Sequence, residues 1–245
     1  VAPTPAPSPP IVHGDPATTT TLVTDPFDVA AGTLLVVGVW RDGSGHTTWP
    51  AITNNGSAIT WNQLARVYDA STSGWVNTGL WTYWAYLPAA RTGLTVTATI
   101  TSGNQMGLDV QPFAGADSAD PIGAVLAGAS AGVASLTTGA LTAEASGSLL
   151  QAFVGGGRAT GTASSADPTS PDLTFEAFNA NSEMFGLAGY KGMGAAGSTV
   201  TASAAQPATV TTANWNWILV EVRAASVVHE DTGGAAAVAA GAGMK

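Results

Sequence analysis

The segment Leu94-Thr95-Val96-Thr97-Ala98-Thr99-Ile100 decides the fold class. Its apolar residues and its threonines alternate strictly. A period of two places Leu94, Val96, Ala98 and Ile100 on one face of an extended strand and the threonines on the other. One face is dry and the other wet, as in an antiparallel sheet that covers a core on one side. The same grammar recurs along most of the chain, and no segment carries the 3.6-residue period of a long helix.

Working outward, the strands come quickly. Thr20–Val29 is a candidate interrupted at Asp25-Pro26, which suggests an edge or a bulge. Gly32–Trp40 is almost continuously apolar and reads as a central buried strand. Thr47–Thr53, Ile59–Tyr68, Gly79–Leu87 and Leu108–Phe113 follow, with a turn expected at Asn54-Asn55-Gly56-Ser57. Ile122–Thr142 is expected to hold two short strands. Leu149–Val154 ends in Gly155-Gly156-Gly157, and a long loop runs from Ala159 to Pro171. Leu173–Phe178, Glu183–Tyr190, Thr199–Ser203 and Trp215–Arg223 complete the set. The last strand puts Ile218, Val220 and Val222 on one face and Trp217, Leu219, Glu221 and Arg223 on the other. It is expected to be central and paired with Leu34–Val39. The chain shows no repeat of solenoid or propeller type. Many short strands with Gly, Asn and Asp turns predict an all-β fold, a two-sheet antiparallel β-sandwich of the jelly-roll kind.

Three regions are expected: an extended Pro-rich arm over residues 1–18, a sandwich domain over 19–226 and a Gly/Ala-rich tail over 227–245. The arm carries Pro3, Pro5, Pro7, Pro9 and Pro10, which forbid helix and favour a polyproline-like course. A free arm of this composition is expected to be disordered, so an ordered one needs a holder. The expected holder is a neighbouring subunit. The N-terminus shows no basic region followed by an apolar block. Its small first residue fits either a removed initiator Met or an already cleaved signal.

Composition narrows the function. The 245 residues are 45% hydrophobic but only 9% charged, with a net charge of −9, against about a quarter charged in ordinary soluble domains. Five arginines and two lysines make a poor partner for nucleic acid or an anionic membrane surface. The absence of cysteine excludes disulfides, thiolate catalysis and iron–sulfur ligation. No run of residues is apolar and long enough to insert across a membrane as a helix.

Motifs that suggest chemistry fail on context. Gly128-Ala129-Ser130-Ala131-Gly132 matches G-x-S-x-G, but no helical period follows and no partner histidine stands near in sequence. Gly192-Met193-Gly194-Ala195-Ala196-Gly197 matches G-x-G-x-x-G, but a strand follows where the dinucleotide fingerprint needs a helix. Asp117 and Asp120, with Asp109, could offer oxygens to calcium, though Asp at a turn more often bonds its own backbone. Glu176 and Glu183 flank a turn and are the nearest approach to a glycosidase acid pair. Asn55-Gly56-Ser57 is a formal glycosylation sequon that a hairpin explains equally well. No catalytic residue, cofactor site or metal site is assigned, and the chain reads as a non-enzyme.

The aromatics are more suggestive. Trp75, Trp81, Tyr83, Trp84 and Tyr86 crowd one region. Alternation sends Trp84 and Tyr86 to one face and Trp81 and Tyr83 to the other. The two readings are core or subunit packing, and stacking on a host-surface glycan.

The order of segments, Gly32-Thr33-Leu34-Leu35-Val36-Val37-Gly38-Val39, then Asn55-Gly56-Ser57-Ala58-Ile59-Thr60-Trp61, then Leu80-Trp81-Thr82-Tyr83-Trp84-Ala85, then Val110-Gln111-Pro112-Phe113-Ala114-Gly115-Ala116-Asp117, and finally Trp217–Val222, resembles the jelly-roll domain of minor tail and other virion proteins of actinobacterial tailed phages. The resemblance spans about residues 20–225, with the family's order of Gly and Asn altered at Asn55-Gly56-Ser57. It implies a structural protein of the virion, assembled in the host cytoplasm, with other tail or capsid proteins as partners. A symmetric homo-oligomer such as a trimer is expected, tethered through the proline arm. Capsid decoration and a carbohydrate-binding module of a secreted bacterial protein are the alternatives, and a secreted hydrolase ranks last.

Overall fold

The computed structural model describes residues 2–14, 19–42, 48–68, 78–101, 105–158, 167–180, 184–208, 210 and 213–225. These are all-β, in antiparallel sheets, with no helix among them. The first half of the chain holds β1 (Thr4–Pro5), β2 (Val12–Gly14), β3 (Thr21–Val23), β4 (Phe27–Val29), β5 (Thr33–Asp42), β6 (Ala51–Asn54), β7 (Asn62–Tyr68), β8 (Thr78–Leu87), β9 (Arg91–Leu94), β10 (Val96–Thr99) and β11 (Met106–Ala114). The second holds β12 (Ile122–Val133), β13 (Ser135–Thr137), β14 (Leu141–Thr142), β15 (Leu149–Arg158), β16 (Thr174–Ala180), β17 (Met184–Gly192), β18 (Thr199–Val200), β19 (Ser203–Ala205) and β20 (Ala213–Val222).

Each half builds one large sheet from its own strands. The first runs β11-β5-β8-β7, with β1 and β2 added outside β11. The second runs β12-β20-β15-β17-β16. With β1, β2 and β12 set aside as strands added outside the last one, these are one plan used twice: β11-β5-β8-β7 answers β20-β15-β17-β16. The small ladders match too. β3 pairs β10 and β4 pairs β9, as β13 pairs β19 and β14 pairs β18. The twofold repeat escapes a search for short periods, yet its traces are in the sequence. Gly32-Thr33-Leu34-Leu35 answers Gly147-Ser148-Leu149-Leu150, and Thr95-Val96-Thr97-Ala98 answers Thr199-Val200-Thr201-Ala202. Gly32 and Gly147 share a left-handed φ of 75° and 76°, so the chain enters β5 and β15 through the same glycine turn.

Strand alternation distributes the core into three layers. Leu35, Val37 and Val39 of β5 face the first half's small ladders, and Leu150, Ala152 and Val154 of β15 face the second's. The opposite faces meet each other in a mixed core of Leu34, Val36, Trp40, Phe153, Phe178, Ile218, Val220 and Val222. Here the repeat is broken in size rather than in plan. A side chain on Gly38 would overlap the Phe153 ring, and one on Gly155 would overlap the Trp40 ring. The matching sequences make Gly38 the counterpart of Phe153 and Trp40 the counterpart of Gly155. Each half therefore supplies the ring at one position and the hole at the other. The Trp40 indole also donates to the Val154 carbonyl at 3.1 Å across this seam.

Several expectations change. β20 pairs with β12 and β15 rather than with Leu34–Val39, because β5 is already flanked by β11 and β8. Its faces divide as alternation predicts. Asn54–Ser57 does turn, with Gly56 at φ 68°, but β6 pairs with β10 rather than β7, so the turn links two sheets. Gly155–Gly157 continue β15 instead of ending it, since Gly155 is the hole for Trp40. Residues 122–142 hold the long strand β12 ahead of two short ones, β13 and β14, rather than two short strands alone. The 227–245 tail lies outside the described residues.

Candidate functional site

The arm is ordered by its own chain. Thr4 and Pro5 pair with Ala114 and Phe113, Ala6 N–H donates to the Pro112 carbonyl at 2.9 Å, and Val12–Gly14 pair with Leu108–Met106. Pro112 has no N–H to give on that side, which suits an outer position. This intrachain ladder replaces the neighbouring subunit as the holder that Pro3, Pro5, Pro7, Pro9 and Pro10 were expected to need. Between its two anchored ends the arm cannot follow β11. Pro7, Pro9 and Pro10 have no N–H, and the span Pro7–Ile11 stands opposite the shorter span Asp109–Gln111.

Beneath that bow lies a cavity of about 490 Å³, bounded by Pro5 and Ser8 of the arm, Asp109 and Gln111 of β11, Glu176 of β16 and Tyr190 of β17. The polar groups of β11 are an exception to the repeat. Phe113 faces Leu34 as Val222 faces Leu149, so Asp109 and Gln111 occupy the places that Ile218 and Val220 take in the second half. There β12 pairs along β20, and Ile218, Val220 and Val222 lie in the mixed apolar core. In the first half the same stations carry an acid and an amide.

Asp109 is 3% exposed, and its Oδ2 has no hydrogen-bond partner. Burial pushes its carboxyl up to about 8, the charge of Glu176 adds to the rise, and the Val110 N–H opposes it. At neutral pH the group is therefore mostly protonated. The Gln111 amide nitrogen donates to the Ala6 and Pro112 carbonyls at 3.3 and 3.2 Å, which ties the arm down beside the acid. Glu176 is exposed, and its Oε2 accepts the Ile11 N–H at 3.2 Å. Glu176 also borders a second hollow with Pro10, His13 and Asp167, where the His13 ring stacks on Phe178 at 5.7 Å. Nothing in the period-two pattern marks this site. The available signal is a charged residue within the apolar run of β11.

The sequence-predicted aromatics do not converge. Trp81 and Tyr83 are 1% and 3% exposed, inside the first half's outer core, where the Tyr83 hydroxyl donates to the Pro50 carbonyl. Trp84 and Tyr86 lie on the opposite face of β8, half-buried against the mixed core. Trp81 and Tyr83 thus have no free face for a sugar, and Trp75 lies outside the described residues. Asp117 Oδ1 accepts the N–H groups of Ala119 and Asp120, a turn-forming role, and Asp120 pairs with Arg223. Among the described residues no cluster of three His, Cys, Asp or Glu could hold a metal ion. Glu183 lies outside them. Ser130 sits in β12, paired with Trp215, and Gly194 and Gly197 form a left-handed turn into β18. No described helix is long and apolar enough to cross a membrane.

Compared with known proteins, the chain matches no family model, no curated protein and no solved structure.

Proposed function

We propose that the chain is a non-catalytic structural protein of a virion, a minor tail or tail-tip component whose two halves each follow a jelly-roll-like plan. The observation that carries this reading is the shared core. Two sheets of one plan are locked face to face by the Phe153–Gly38 and Trp40–Gly155 contacts, which makes a stiff body suited to bearing load between neighbours. The order of apolar strand motifs that resembles phage virion proteins supports it, as does a surface of Thr, Ser and Asn rather than charge. The arm offers a means of tethering. Exchange of residues 2–14 between copies would preserve every hydrogen bond to β11, a low-cost route to an oligomer.

The test is mass spectrometry of purified particles from the source phage, followed by immunogold electron microscopy. Label at the tail tip is expected. Label over the head would move the protein to capsid decoration, and absence from particles would overturn the virion reading. Turnover in a broad glycan and ester screen would overturn the non-catalytic part. A binding-module reading is the second candidate, and the cavity lined by Asp109 and Glu176 is what favours it.

A further inference from the structure

We infer that the cavity beneath the proline arm is a binding site for an organic cation, a primary ammonium or guanidinium group received between Asp109 and Glu176. This goes beyond the virion reading and does not depend on it. The ligand's chemistry follows from the lining. Asp109 and Glu176 line the space, and among the described residues no Lys, Arg or His borders it. The Gln111 amide nitrogen is engaged by Ala6 and Pro112, so Gln111 has only an acceptor oxygen left to give. Asp109 Oδ2 is buried without a donor, an arrangement that costs stability and needs a reason. The fold does not supply one, since the second half meets the same positional requirement with Ile218 and Val220. Tyr190 adds an aromatic wall, held edge-on by Phe113 at 6.5 Å between centroids, of the kind that favours a cation. Among the described residues no three His, Cys, Asp or Glu side chains gather here to hold a bare metal ion. An anion would be repelled by the Glu176 carboxylate, with no cationic side chain among the described lining residues to offset it.

The cation also accounts for the acid's state. With the site empty, Asp109 keeps its proton because the neighbouring Glu176 and burial both resist a second charge. An incoming cation reverses that balance, so Asp109 gives up its proton as the cation enters. The titratable groups facing Asp109 are Glu176 from β16 and Tyr190 from β17, while His13 and Asp167 face Glu176 from the adjoining hollow. Residues Pro5–Ser8 of the arm carry none.

The experiment is calorimetric titration of the full chain with n-butylammonium, n-butylguanidinium and a short peptide containing one lysine. Neutral n-butanol and a panel of neutral monosaccharides serve as controls. Saturable binding of at least one cation is expected, with none of the neutral isostere. One proton should be released, seen as a dependence of the heat on the buffer's ionisation enthalpy. Affinity should rise by up to about tenfold per pH unit between pH 6 and 8, following proton linkage. Asp109→Asn keeps the shape of the side chain and should weaken binding by at least about tenfold, as a charge-assisted contact is lost; Glu176→Gln serves as a second variant. Binding of the peptide marks a partner's basic side chain as the source, and binding of the free amines alone marks a small metabolite. The inference is overturned if no cation binds saturably, if sugars or n-butanol bind as well as the cations, or if binding proceeds without proton release and survives Asp109→Asn in a folded variant.

Discussion

Two buried carboxylates show how position decides what an acid does. Glu221 is fully buried on β20. Burial pushes its carboxyl up, but the N–H groups of Ala145, Glu144 and Ala124 and the Ser148 hydroxyl together outweigh burial and hold it below the usual range. These bonds pin β12 and the 144–145 turn to the sheet. Because the folded state favours the ionised form, the stabilisation is present above the ordinary Glu value and is lost as pH falls through the depressed one. Glu221→Gln leaves N–H donors short of acceptors and is expected to cost about 3 kcal/mol in a urea titration at pH 7. Asp109 behaves in the opposite sense. Its folded carboxyl titrates near 8, so the folded protein holds a proton that the unfolded chain releases. Stability therefore falls as pH rises from about 4 to 8 and changes no further from this group above that. Asp109→Asn should remove that slope and raise the melting temperature at pH 8 more than at pH 5, read by thermal denaturation across the range.

Among the elements, β5 and β15 carry the seam and the arm carries the edge. Phe153→Gly empties the space over Gly38 and should cost about 4 kcal/mol. Gly38→Phe inserts a second ring into the same space and should destabilise at least as strongly. Gly38→Phe together with Phe153→Gly moves the ring to the other half. The pair should recover part of the loss, a coupling that urea denaturation of the four proteins measures. The same cycle failing to couple would mean that the two sheets do not meet at this point. Removing residues 1–14 strips β1 and β2 from β11 and leaves its N–H and C=O groups unpaired. Such an edge invites pairing with another chain. In sedimentation velocity at equal concentration the truncated protein is expected to form larger, more heterogeneous species than the full chain.

For the whole molecule, the mixed core joins the halves into one cooperative unit. Trp40, Phe153, Phe178 and Ile218 are buried only because both sheets are present. Asn216 of β20 donates to the Thr78 carbonyl and hydroxyl of β8 at 2.8 and 2.9 Å, and Ala116 pairs with Ala224 where the halves end. Heating should therefore give one transition with calorimetric and van't Hoff enthalpies equal. Residues 1–118 expressed alone should expose the inner faces of β5 and β8 and fail to give a soluble monomer by gel filtration. Two separate transitions would show instead that each half is stable by itself. The size-swapped contacts also make the pairing specific. Two copies of the first half alone would set Gly38 against Gly38 and Trp40 against Trp40, leaving a void beside a clash.

Local pattern is enough to make the chain all-β and to locate most strands. A period of two and a glycine or Asn-Gly turn are local signals, read within seven or eight residues, as at Leu94–Ile100 and Asn54–Ser57. It also divided β20 into its two faces and marked Gly32–Trp40 as buried on both sides. The partners of those strands were decided by tertiary structure alone. β20 joins β15, β6 joins β10, and the proline arm joins β11, because pairing between distant segments is settled by which faces can be covered together. For the same reason, alternation could sort the rings of β8 onto two faces but could not say that Trp81 and Tyr83 would be sealed under a second layer. Asp109 follows that rule too. Its place on an apolar strand is visible in the chain, but its burial beneath the arm, beside Glu176, exists only once two sheets and an edge have come together.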